Sequence, residues 1–172
     1  MSKPPILNLA DVKMVPLKER MPTEPPGGFG HKFDARMGEV GGPLGAQKLG
    51  YNITSVPPGM RAFPFHSHRI NEEMFFILEG SGQLRLGADT FAVKQGDFIA
   101  NPPGGPETAH QLINTGEVEL KYLAVSTRQW PEIVDYPDSK KFGVTLIGAD
   151  GETRVFRHLG RAEQMLDYWD GE

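Results

Sequence analysis

The sequence predicts an all-β protein, an antiparallel double-sheet barrel of jelly-roll form. Three observations carry this prediction. From residue 46 onward, roughly eight short apolar runs fall within about eighty residues, a spacing that suits strands joined by tight turns. Gly (21) and Pro (15) are both frequent and fall between short apolar runs, where turns need them. Several runs alternate apolar and polar residues, the period of a strand with one face buried.

The elements follow in chain order. Residues 1–45 read as an irregular arm, because Pro4, Pro5, Pro16, Pro22, Pro25 and Pro26 rule out a long helix. This arm is expected to pack along the barrel or on a partner subunit. Residues 46–128 are the expected barrel. Strands are predicted at 47–56, 62–68, 73–78, 83–86, 90–93, 98–100, 108–113 and 119–126, with Gly-rich or Pro-rich turns between them. Residues 129–172 form a C-terminal extension. It is expected to hold a hairpin of strands 142–147 and 153–157 around Asp150-Gly151, a good turn pair. Short helices are expected at 131–136 and 161–168.

Composition excludes several function classes. The 172 residues are enough for one domain with a real core. Formal net charge is -4 and no basic run stands out, which argues against nucleic acid or anionic membrane as partner. With no Cys, disulfides, thiolate chemistry and iron–sulfur clusters are excluded. The amino terminus lacks a basic segment followed by an apolar core, and no apolar run approaches a membrane span, so the expected location is the cytoplasm.

Four side chains are candidate metal ligands: His66, His68, Glu73 and His110. Two imidazoles two residues apart on a strand point to one face, about 6.8 Å apart along it. A carboxylate opening the next strand and a third imidazole from a later one can converge on the same point. Three neutral nitrogens and one anionic oxygen suit a divalent transition ion. Glu72 is the alternative carboxylate. The alternation favours Glu73, which shares a face with Phe75 and Ile77 while Glu72 and Met74 take the other.

The spacing of these residues resembles the two motifs of the cupin superfamily. The first reads Gly59, six residues, His66-Ser67-His68, four residues, Glu73, six residues, Gly80; it is one residue longer after Gly59 than the usual pattern. The second reads Gly96, five residues, Pro102-Pro103-Gly104, five residues, His110, three residues, Asn114, with three residues more than usual before the histidine. Both insertions fall in loops or strand entries. The resemblance implies a double-stranded β-helix barrel with His66, His68, Glu73 and His110 holding one divalent transition metal per chain, Fe, Mn, Ni or Zn. Within the superfamily the chain is similar to small stand-alone bacterial cupins labelled sugar-phosphate-isomerase-like. That label rests on fold, and fold does not fix function.

Parity predicts what surrounds the ion. Pro64 shares the face of His66, and Leu112 that of His110; with Phe75 and Ile77 they make an apolar pocket wall for a small organic ligand. Arg61, Arg69 and Arg85 are read as solvated surface, as are His31 and His158. Trp130, Tyr136, Tyr168 and Trp169 are read as packing or dimer-contact residues. The functional expectation is a metal-dependent enzyme acting on a small metabolite by isomerisation, epimerisation or dioxygenation. The alternative is a non-catalytic small-molecule binder or sensor. A homodimer is expected, with the amino-terminal arm exchanged between subunits.

Overall fold

The computed structural model describes residues 5–148 and 153–172; the expected turn at Asp150-Gly151 lies outside the described residues. The strands in chain order are β1 (Val15–Pro16), β2 (Arg36–Glu39), β3 (Leu49–Val56), β4 (Ser67–His68), β5 (Glu73–Glu79), β6 (Ser81–Leu86), β7 (Asp89–Lys94), β8 (Phe98–Asn101), β9 (His110–Ile113), β10 (Leu120–Thr127), β11 (Glu132–Tyr136), β12 (Lys141–Ile147) and β13 (Arg154–Gly160). The helical elements among the described residues are short 3-10 turns, and no helix there is long and apolar enough to cross a membrane.

Three antiparallel sheets make a double-sheet barrel. One layer is the six-stranded sheet β1-β2-β3-β10-β5-β8. The other holds the three-stranded sheet β7-β6-β9 and the four-stranded sheet β13-β12-β11-β4. A single His66–His110 bridge connects the approach to β4 with the start of β9, so the two smaller sheets meet at that point. The core lies between the layers. Val56, Phe75, Ile77, Ile99, Leu120 and Tyr122 from the large sheet pack with Leu84, Val93 and Leu112 from the three-stranded one.

Two motif residues explain how the chain passes between layers. Gly80 is the single residue between β5 and β6, and its φ is +80°, in the left-handed region that favours glycine. A Cβ there would lie 2.3 Å from the Glu119 carbonyl oxygen, so no other residue fits without moving backbone. Asn114 is fully buried after β9. Its Nδ2 donates to the Val56 and Val118 carbonyls at 2.8 and 2.7 Å, and its Oδ1 accepts from Gly116 N at 2.9 Å. It thus ties the β9–β10 turn to the end of β3 and satisfies buried backbone groups.

The structure corrects several expectations. Residues 131–136 are not helical: β11 pairs with both β12 and β4. Pro131 and the acidic residue after it look like a helix start, but Ile133, Val134 and Tyr136 are strand formers, and two flanking strands complete their ladder. The 161–168 helix reduces to a 3-10 turn at Ala162–Gln164. The strand expected at 108–113 begins at His110, because Pro106–Thr108 forms a 3-10 turn. The strand expected at 62–68 is mostly irregular, leaving only β4 and the His66–His110 bridge.

Arg85 is not simply solvated. Its guanidinium makes two hydrogen bonds to Asp138, at 2.9 and 3.0 Å, and lies 4.1 Å over the Phe65 ring. This links β6 to the turn after β11. Arg85→Ala is expected to cost about 1 kcal/mol in urea unfolding, the sum of a partly exposed ion pair and a cation–π contact.

Candidate metal centre

The geometry of the chain crossing sets the site. Directly opposite residues on antiparallel strands share a face. Glu73 on β5 stands opposite Ser126 on β10 and Asn101 on β8, and Ser126 stands opposite Gly50 on β3. This row is the inner face of the large sheet at one end of the barrel. Across from it, His66 and His110 face each other through two backbone hydrogen bonds, His110 N to His66 O at 2.8 Å and His66 N to His110 O at 3.2 Å. His68 follows on β4, whose carbonyl accepts from Gly104 N at 2.8 Å in the Pro/Gly loop before His110.

The four sequence-predicted ligands come together. One donor atom each from His66, His68 and Glu73 lies within 4.8 Å of the others. His110 reaches this group through Glu73, with its Nε2 3.1 Å from Glu73 Oε2; His68 Nε2 is 3.5 Å from the same oxygen. The His110 ring centroid is 4.8 Å from that of His66. Glu72 is exposed and takes the opposite side of the strand.

The hydrogen bonds fix which nitrogen points inward. His66 Nδ1–H donates to the Pro64 carbonyl at 2.8 Å, and His110 Nδ1–H to the Thr108 carbonyl at 3.3 Å. Each leaves the Nε2 lone pair for the site, as metal-binding imidazoles do. His110 Nε2 then stands 3.1 Å from Glu73 Oε2, and a proton on that nitrogen or a cation between the two makes the contact attractive. Two donors each about 2.1 Å from one ion at a right angle lie about 3 Å apart. The residues present fit a divalent ion by donor chemistry and by spacing.

Electrostatics divides the group. Burial pushes the His66 pKa down to about 4, helped by the neighbouring His110 and His68. Burial acts the same way on His68, but Glu132 and Glu73 outweigh it and raise the value. Burial would raise Glu73; the hydrogen bond with His110 and the charges of His68 and His66 hold it below the ordinary carboxylate range.

Beside this group lies a cleft of about 500 Å³. His68, Glu73, Asn71 and Glu132 line it together with Asn52, Ser126, Arg128 and Trp130. The expected apolar wall lies elsewhere. Phe75 and Leu112 border a small pocket of about 20 Å³ with His66 and His110, Pro64 borders that pocket and a separate one of about 270 Å³ against the amino-terminal arm, and Ile77 is sealed in the core. Trp130, expected in packing, lines the cleft, and the Tyr136 ring stacks at 6.2 Å on His66. Arg69 pairs with Asp135 at 2.7 Å, while the Arg61 guanidinium faces Phe33. His31 and His158 are exposed.

Glu132 is the residue that sequence reading missed. It lies two residues after Trp130, outside both motifs, in a segment read as helical. No local pattern marks it.

Residues 52–126 match the family described as Cupin domain. This chain carries a cupin domain. The matched segment contains all four candidate ligands and ends before Glu132. A curated relative, an uncharacterised protein of Methanocaldococcus jannaschii, is 42% identical over 71 residues, which are 41% of this chain and 54% of that protein. The chain thus spans about half the length of that relative. Among solved structures, a proposed sugar phosphate isomerase from Acidithiobacillus ferrooxidans superposes with a TM-score of 0.70 at 22% identity, covering 95% of this chain and 96% of its own. A sugar phosphate isomerase of the cupin superfamily from Silicibacter pomeroyi gives 0.66 at 24% identity, over 79% of this chain and 82% of its own. At these identities the likeness is one of fold. The first of these superpositions reaches well beyond the matched segment, over 95% of the chain.

Proposed function

We propose that this cupin binds a divalent transition metal through His66, His68, Glu73 and His110 and acts on a small polar metabolite. Isomerisation or epimerisation is the favoured chemistry, with dioxygenation as the rival. The observation that carries the reading is the approach of two imidazole Nε2 atoms to one Glu73 oxygen, at 3.1 and 3.5 Å, beside an open cleft. When bound, the ion supplies Lewis-acid polarisation of a substrate oxygen. The chain's own residues do the rest. Asn52 and Ser126 offer hydrogen bonds along the cleft, and Trp130 offers an apolar face near them. This lining suits hydroxyl and carbonyl groups better than the aromatic diols an apolar pocket would take, and so favours proton transfer over oxygenation.

A second reading, a non-catalytic binder, has one observation behind it. Glu73 and Glu132, carboxylates that line the cleft beside His68, are both engaged by donors that hold them ionised. Neither is poised to take a proton from substrate near neutral pH.

The test is turnover. Metal-stripped protein reloaded with Fe, Mn, Ni or Zn is expected to bind one ion per chain and to convert at least one member of a panel of sugar phosphates and keto acids without oxygen uptake. Oxygen consumption with an aromatic diol would support the rival chemistry. Binding with no product under any metal would support the binder, and no metal uptake at all would end the proposal.

We also propose a homodimer. Val155, Phe156 and Leu159 on β13, and Tyr168 and Trp169 beyond it, are exposed apolar side chains that a second copy would cover. Light scattering is expected to give twice the chain mass at micromolar concentration; a monomer mass would count against it.

A further inference from the structure

Glu132 is a carboxylate only 4% exposed, and its surroundings hold it rigidly. Its Oε1 accepts from Ile70 N at 3.2 Å and Ile133 N at 2.9 Å, and its Oε2 from Asn71 N at 3.1 Å and from Asn71 Nδ2. Asn71 is itself pinned. Its Oδ1 accepts from Thr127 Oγ1 at 2.9 Å and Gln129 N at 2.8 Å, and its Nδ2 also donates to the Gln129 carbonyl at 3.0 Å. The same Glu132 oxygen stands 3.6 Å from His68 Nδ1. That nitrogen is buried and has no hydrogen-bond partner. His66 and His110 each place Nδ1–H on a backbone carbonyl; His68 has no such bond, and the nearby acceptor is this carboxylate.

We propose that Glu132 is a positioning residue for the metal centre: it accepts the Nδ1–H of His68 and thereby turns the His68 Nε2 lone pair toward Glu73 and the ion. The inference rests on the metal reading above. A carboxylate behind a ligating imidazole fixes its tautomer and raises its basicity. Because backbone N–H groups hold Glu132 independently of His68, the carboxylate is the fixed partner and the ring adjusts to it. It belongs to β11, beyond the segment that matches the cupin domain, so it adds to the four-ligand set from a different part of the chain. The rival role is purely structural, a cap on the Ile70 and Asn71 backbone.

The experiment has two arms. In metal-stripped wild-type protein, above the pH at which His68 titrates, ring nitrogen-15 shifts are expected to show His68 with a proton on Nδ1 and a bare Nε2. A proton on Nε2 would overturn the proposal, and this measurement needs no variant. In Glu132→Gln, which keeps an acceptor oxygen but loses the charge, the bare-Nε2 tautomer is expected to lose population and Zn2+ affinity to fall roughly 10–100-fold. Glu132→Asp is expected to recover part of that loss. A lowered Tm with unchanged tautomer and unchanged affinity would assign Glu132 the structural role and overturn the proposal. If wild-type protein takes up no metal, the metal reading fails, while the tautomer measurement still decides the Glu132–His68 contact.

Discussion

His110→Ala is expected to strip the divalent ion while leaving the barrel folded. The loss in affinity should exceed the roughly 10–100-fold that removal of an outer partner produces, because an inner donor goes. His110 Nε2 is the nearest imidazole nitrogen to Glu73 Oε2, at 3.1 Å, and its Nδ1–H on the Thr108 carbonyl leaves it no alternative orientation. Alanine removes that donor and leaves Glu73 facing His66 and His68 alone. The backbone is a separate matter. Both hydrogen bonds between His66 and His110 are main-chain bonds and survive the change, as does the pairing of β9 with β6. The lost ring leaves a gap against Phe75, so a cost of about 2 kcal/mol is expected from the cavity. Metal stoichiometry by elemental analysis and near-UV circular dichroism separate the two effects. Full metal content in the variant would remove His110 from the site. A molten spectrum would mean that the ring is needed for folding, which the backbone bonding argues against.

Much of this site was legible because its signals are local or sit at fixed intervals. The alternation of Glu73, Phe75 and Ile77 placed the carboxylate on the inner face of β5 and put Glu72 outside. Gly80 and Asn114 mark places where the backbone itself dictates the residue, a left-handed φ pressed against a carbonyl and a buried turn that needs an amide. Such constraints leave a trace in sequence. Glu132 leaves none, because its role depends on β11 lying beside β4, a pairing with a separation of more than sixty residues. The helical reading of 131–136 then hid it.

The pocket was misplaced for a related reason. Parity within single strands correctly put Phe75 and Leu112 inside, but inside a barrel most positions are packed core. Which part of the interior stays open depends on side-chain size across the sheet. Gly50, Asn52 and Ser126 are small or polar at the end of the large sheet where Glu73 stands, and the cleft opens there. Toward the middle, Phe75, Ile77 and Tyr122 fill the space. The polar face of the opening changes the class of ligand it suits, and this is a cross-strand property that no single stretch of sequence displays.

In metal-stripped protein stability should fall as pH drops from about 6.5 to about 4. His66 is the cause. Its folded pKa is about 4, against roughly 6.5 in an unfolded chain. Between those values the unfolded state binds a proton that the folded state refuses, so stability rises with pH across the window. The contribution is fully present above pH ~6.5 and gone below about 4, amounting to roughly 3 kcal/mol for a shift of that size. His68 acts with the opposite sign. Its folded value is raised, so its contribution is complete below ~6.5 and is lost as pH climbs through the raised value. The carboxylates follow the acid pattern, since Glu73 and Glu132 are held low and their contributions disappear only below their ordinary range. The expected profile is therefore a shallow maximum near pH 6.5, a decline toward 4 and a steeper loss below. Urea unfolding of chelator-treated protein against pH measures it. In His66→Gln the decline between 6.5 and 4 should flatten while the loss below remains. An unchanged slope in that variant would place the titrating group somewhere other than His66. With metal bound, protons and the ion compete for the same Nε2 lone pairs, so the acid limb should move to lower pH by an amount that grows with metal concentration.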